Sequence, residues 1–86
     1  MKHATAPALD QLEPLLARLR ALPGMAEKKR GVFYRRSVSF LHFHEDPAGL
    51  FADLRGPDGD YSRMQVDSLQ QQDALVLAVG KLLGTA

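Results

Sequence analysis

The chain of 86 residues has no cysteine and no tryptophan, and aromatic residues make up only 7% of it. Without cysteine there is no disulfide framework, no catalytic thiol and no thiolate-bound zinc. No apolar run approaches the ~20 residues that a membrane-spanning helix requires. The first residues, Met1-Lys2-His3-Ala4-Thr5, lack the apolar stretch of a signal peptide. These absences imply a soluble, cytoplasmic protein with no membrane contact. A strong charge of either sign is missing too, the net value being +1. What is present is a hydrophobic fraction of 45%, ordinary for a globular chain. One domain spanning residues 1–86 is expected, large enough to bury roughly 60–65% of its unfolded surface. Arginine exceeds lysine by seven to four, beside fourteen leucines and eleven alanines, a composition that suggests a GC-rich bacterial genome.

The small net charge conceals an uneven distribution. Between Arg18 and Arg36, seven basic residues stand against Glu27 alone, a local +6. Between Glu45 and Asp73, seven acids stand against Arg55 and Arg63, a local −5. Binders of nucleic acid that act by phosphate neutralisation carry a basic excess over the whole domain. Attraction within the fold, or between two copies, accounts for this balance at least as well.

The leucines at 9, 12, 15, 16, 19 and 22 recur every three or four residues and form one stripe of a helix over 7–22. Its start is ambiguous between Pro7 in the first turn and a capping box at Asp10 and Glu13. Pro14 favours the later start, because an interior proline costs ~3 kcal/mol. Pro23-Gly24 supplies the stop. Residues 25–30 read as a polar connector. A β-rich stretch over 31–66 follows, with strands at 31–38, 39–45, 50–55 and 61–66 and turns at 46–49 and 56–59. Ser68 and Gln71 stand at capping-box spacing before a second helix over 68–83. That helix is apolar almost all round in its second half, so it needs cover on more than one side. Gly80 within it fits a place where another backbone comes close. The order helix, four-strand meander, helix implies an α/β (α+β) two-layer sandwich with an antiparallel sheet.

Chemistry concentrates in one hairpin. Strand alternation puts Phe40, His42 and His44 on one face and Leu41 and Phe43 on the other. On the returning strand it separates Leu50, Ala52 and Leu54 from Phe51, Asp53 and Arg55. The register that matches apolar with apolar pairs Leu41 with Leu54 and Phe43 with Ala52. It also sets His42 opposite Asp53, His44 opposite Phe51 and Phe40 opposite Arg55. A slip of one residue would bury the polar set, so the pattern specifies the pairing.

Three readings fit the mixed face. Two histidines two apart on a strand can share one ion, with Asp53 as third ligand and a position left open, as in divalent-metal sites. Alternatively Asp53 orients His42 for acid–base work while Arg55, with Arg35 or Arg36, holds a small anionic ligand. No nucleophile stands out among the serines. Finally, the imidazoles flanked by Phe40 and Phe51 suit a structural role, paired with Asp53 across the strands, with the face open to solvent or packed against a twin subunit in a homodimer. The face His42, His44, Asp53, Arg55, Phe40 and Phe51 is thus the expected site of an interaction or small-ligand-binding module rather than an enzyme. The alternative is a metal-binding protein or metal-dependent enzyme. A further alternative is weak binding of single-stranded nucleic acid through residues 28–36, where bases interleave with Phe33 and Tyr34. Those two rings face opposite ways on a strand, so only one could stack.

The segments Leu22-Pro23-Gly24, Phe40-Leu41-His42-Phe43-His44 and Gly49-Leu50-Phe51-Ala52-Asp53 resemble those of a family of small bacterial proteins. They are similar to the domain labelled luciferase domain, in which a His-x-His strand leads through a glycine turn to an aspartate. The resemblance covers about two-thirds of the chain, through Arg55. It implies that His42, His44 and Asp53 act together. It does not imply light emission, because flavin-dependent luciferases are (β/α)₈ barrels of ~250 residues. The five residues between His44 and Leu50 and the basic run at 28–30 depart from the pattern.

Overall fold

The structure, a computed structural model, describes residues 1–84. Its elements in chain order are β1 (Lys2–His3), α1 (Ala6–Arg20), β2 (Ala26–Lys29), β3 (Val32–Arg35), β4 (Val38–Asp46), β5 (Gly49–Arg55), β6 (Tyr61–Gln65) and α2 (Leu69–Leu83). The strands form one open antiparallel sheet in the order β2-β3-β4-β5-β6, with β1 paired to β4. The α+β meander between terminal helices is as the sequence pattern implies, with six strands in place of four. No helix among the described residues is long and apolar enough to cross a membrane.

Alternation along β4 and β5 sets the layers. Leu41 pairs with Leu54, His42 with Asp53, Phe43 with Ala52 and His44 with Phe51. Leu41, Phe43, Ala52 and Leu54 are buried together with Leu12, Leu15, Leu16 and Leu19 of α1 and Leu75 and Val79 of α2. Both helices therefore cover the same face of the sheet. The histidine face carries no helix among the described residues.

The first helix starts at the earlier of its two possible positions, with Thr5 as N-cap, and Pro14 lies inside it. Pro14 removes one N–H and leaves the carbonyl of Asp10 without its helical partner. That loss falls on the solvent side, where Pro14 is exposed. The earlier start also buries Ala8. Each fully buried leucine of the stripe contributes roughly 1.5–3 kcal/mol relative to exposure, so together they outweigh the ~3 kcal/mol of an interior proline. The capping box at Ser68 and Gln71 forms as expected, and Gly84 ends α2 in the left-handed region.

Two strands lie where no strand is expected. The connector at 25–30 contains β2, which pairs with β3 through a turn around Gly31. The N-terminus contains β1, which sets Lys2 opposite Glu45 and His3 opposite His44. Glu45 also accepts from the Thr5 amide (3.1 Å) and hydroxyl (2.6 Å), tying the start of α1 to β4.

The basic segment is partly neutralised inside the fold. Arg20 forks onto Glu27 and also reaches Glu13, Arg30 reaches Asp10 and Glu13, and Arg18 pairs with Asp73. The Arg20 guanidinium, with the Gly31 amide, holds the Glu27 carboxyl below its ordinary range. A carboxylate lowered on folding contributes stability above its unfolded pKa and loses it as pH falls through the folded value. Unfolding in urea is expected to show a stability loss between about pH 5 and pH 3 that Arg20→Gln makes shallower.

The β4–β5 turn depends on Gly49. Its φ is +140°, and an added Cβ would stand 2.2 Å from Asp67 Oδ2 and 2.7 Å from Gln65 Nε2. Asp67 uses that space to accept from the Leu50 amide (3.1 Å) and from Gln65 (2.6 Å). Gly49→Ala is expected to cost about 1–3 kcal/mol in thermal or chemical unfolding.

Candidate functional site

The histidine face is built by β1, β4, β5 and β6. His42 and His44 project from β4, and His3 reaches the same face because β1 sets it opposite His44. On β6, Arg63 lies opposite Asp53 and Tyr61 opposite Arg55. The chain has three histidines, and all three meet here. One ring nitrogen from each lies within 4.8 Å of the others. The His3 ring stacks on His44 at 4.7 Å between centroids, and His42 meets the His44 ring edge-on at 5.0 Å. Tyr61 closes the other side of His42 at 4.9 Å.

Asp53 is only 7% exposed and both of its oxygens are engaged. Arg63 donates from Nε to Oδ1 at 2.7 Å and from Nη2 to Oδ2 at 2.8 Å. His44 Nε2 stands 3.1 Å from the same Oδ2. These hydrogen bonds from Arg63 hold the Asp53 carboxyl below its usual range, against the opposing effect of burial. A carboxylate only accepts, so the proton of His44 belongs on Nε2. His42 Nδ1, 3.1 Å from that Nε2, is then an acceptor on the same side. The remaining nitrogen of His44, Nδ1, is buried and has no hydrogen-bond partner. In a neutral ring that atom carries a lone pair. Burial pushes the His42 pKa down, although the Asp53 charge works the other way, so the ring favours its neutral form.

Several expectations change at this point. Asp53 is opposite His42 in register, but its side chain bonds His44, the diagonal neighbour, which long side chains can reach. With Arg63 forked across it, Asp53 supports an imidazole and is not grouped with the nitrogens that could hold an ion. Phe40 does not share the histidine face. The β3–β4 register shifts so that Phe33 pairs with Leu41 and Tyr34 with Ser39, leaving Phe40 as an extra residue in a β-bulge. The bulge turns Phe40 and Leu41 both toward the helices, and Phe40 is 4% exposed in the core. Phe51 stays on the histidine face, half-buried opposite His44. Arg55 lies beyond the imidazoles, donating to the Ser39 carbonyl (2.6 Å), the Gly59 carbonyl (2.7 Å) and the Tyr61 hydroxyl (3.0 Å).

His3, Tyr61 and Arg63 are the members that the sequence pattern leaves out. Arg63 and Tyr61 follow from extending the alternation one strand further. For His3 the only signal is that it is the one histidine outside the hairpin.

The Asp53–Arg63 pair joins a side chain that is 9% exposed to one that is 49% exposed. Removing Arg63 strands a buried carboxylate, whereas removing Asp53 lets Arg63 turn into water. Arg63→Gln is therefore expected to destabilise the fold, and by more than Asp53→Asn, in parallel urea unfolding at neutral pH.

Comparison with known proteins adds no relative: no family model matches the chain, and neither a curated protein nor a solved structure matches it.

Proposed function

We propose that this protein binds a divalent transition-metal ion through His3, His42 and His44. The observation that carries the reading is the convergence of all three histidines, with one nitrogen of each inside a 4.8 Å group. Tetrahedral ligation at ~2.0–2.1 Å needs nitrogens about 3.3 Å apart, a gap that small side-chain rotations close. Three supports accompany it. His44 Nδ1 is a buried nitrogen with no donor to meet. Asp53 holds the other nitrogen of His44, the arrangement by which carboxylates orient and strengthen imidazole ligands. Burial keeps His42 toward the neutral form that a metal requires.

Three neutral nitrogens and no thiolate suit zinc, copper or nickel better than magnesium or calcium, which prefer oxygen. Three protein ligands also leave a coordination position on the open side of the sheet for water or a small anion. Ser39, the serine on this face, is hydrogen-bonded to Tyr61 and not to an imidazole, so the supported activity is binding, and any chemistry would belong to the ion.

Titration of zinc and of nickel into the protein, followed on the imidazole resonances, tests the reading. All three histidines are expected to respond together, with saturation at micromolar metal, and His3→Ala is expected to weaken binding by about tenfold or more. No response of the three rings to about 100 µM metal removes the proposal. A response that survives His3→Ala unchanged removes the three-histidine form of it. If the rings are silent and light scattering gives twice the chain mass, the face serves instead as a contact between two copies, which the uncovered Phe51 and Tyr61 would then explain.

A further inference from the structure

A second concavity lies at the N-terminal end of β4, lined by Phe40 and Leu82 from the helix side of the sheet and by Ser39 and Arg55 from the other. It measures about 340 Å³. Val38, Phe40, Pro57 and Leu82 give it apolar walls, and Arg35 and Arg55 stand among them. We propose that this cavity binds a compact apolar carboxylate, a molecule of about the size of benzoate.

Charge is the first argument. Neither arginine has a carboxylate partner among the described residues. The Arg35 side chain makes no hydrogen bond or ion pair among the described residues, and its guanidinium stands 5.8 Å from the centre of the Phe40 ring. Arg55 spends three N–H groups on Ser39, Gly59 and Tyr61, all through neutral oxygens. A guanidinium has five N–H donors, so Arg55 keeps two. The nearest acids in sequence are occupied elsewhere: Asp53 by Arg63, and Asp58 by the Asp60 amide within its own turn. Two cations beside an apolar cavity, with no anion between them, match a ligand that is apolar with one negative end. Arg35 is free to close on that end, since no bond would have to break.

The backbone around the cavity is the second argument. Val38 and Arg35 flank a two-residue turn, Arg36-Ser37, in which both residues have positive φ, +53° and +65°. Hairpin turns of that geometry favour Asn-Gly, because other side chains are strained there. Arginine and serine therefore hold a costly conformation immediately beside the cavity. The bulge at Phe40, one residue beyond Ser39, is what turns the phenyl ring away from the imidazole face and into the cavity wall. Strained turns and bulges of this kind cluster where a structure has to aim particular side chains at a ligand. The two irregularities of the β3–β4 hairpin both border this one concavity. Its volume falls at the lower end of the range of small-ligand sites, which is why a single ring or a short branched chain is the fitting occupant.

The test is titration of sodium benzoate into isotopically labelled protein, with benzyl alcohol and inorganic phosphate as comparison probes. Benzoate is expected to move the amide signals of Val38, Ser39 and Gly56 in a saturable way, with a dissociation constant below about 1 mM. Benzyl alcohol, the same shape without the charge, is expected to bind at least about tenfold more weakly. Arg35→Gln is expected to weaken benzoate by a similar factor, and its unchanged spectrum elsewhere would show that the fold is intact. Equal binding of the alcohol overturns the proposal, as does equal binding by phosphate, an unaffected Arg35→Gln variant, or the lack of any saturable shift at about 10 mM benzoate. The His3 and His44 signals, unlike that of His42 beside Tyr61, report the metal site without touching Arg55 or its tyrosine, so failure of one reading leaves the other intact.

Discussion

The side-by-side pairing of β4 and β5 holds the rest of this structure in place. Phe43 against Ala52 and Leu41 against Leu54 give the helices a flat apolar surface. The same rungs put His42, His44 and Asp53 on the opposite side. Because side chains alternate with a period of two, neither face can be changed without the other. A slip by one residue would drive two imidazoles and a carboxylate into contact with the leucine stripe of α1. The desolvation of those groups far exceeds what any rearranged core could return. The register is thus enforced from both sides at once.

Much of this is written plainly in the residues. Alternation from Leu41 to Leu54 specifies the register, the leucine spacing specifies the buried stripe of α1, and Ser68 with Gln71 marks the start of α2. Other parts have no local signature. β1 is two residues long, too short for any periodicity, and becomes a strand only because β4 has a free edge beside Glu45. β2 is Ala-Glu-Lys-Lys, a sequence with little preference for a strand, and its partner β3 imposes the conformation. The turn at Arg36-Ser37 contains neither glycine nor asparagine, and nothing in Ser39-Phe40-Leu41 announces a bulge. Of the candidate site, the His42–His44–Asp53 neighbourhood follows from the register, while its third imidazole and the true partner of Asp53 depend on tertiary pairing.

Charge is arranged on the same logic of mutual cover. Arg18, Arg20 and Arg30 face acids on α1, β2 and α2, which converts three of the seven residues of a conspicuous basic run into intramolecular struts. Lys28 and Lys29 remain on the β2 edge, where lysines discourage pairing with another strand. Arg35, Arg36 and Arg55 are the guanidiniums without an acid among the described residues, and they gather at one end of the molecule.

The bulge at Phe40 can be viewed as a phase shift in β4. On its C-terminal side, even-numbered residues face the imidazole surface; on its N-terminal side, Ser39 does, meeting Tyr61 at 2.7 Å. One inserted residue therefore lets a single strand serve two surfaces whose side-chain parities disagree. Flattening the bulge without shortening the chain would bring both halves into step, at the cost of lifting a phenyl ring out of the core and pulling the serine away from Tyr61. The strand is two short rulers joined out of register, and each end is free to vary in its own phase.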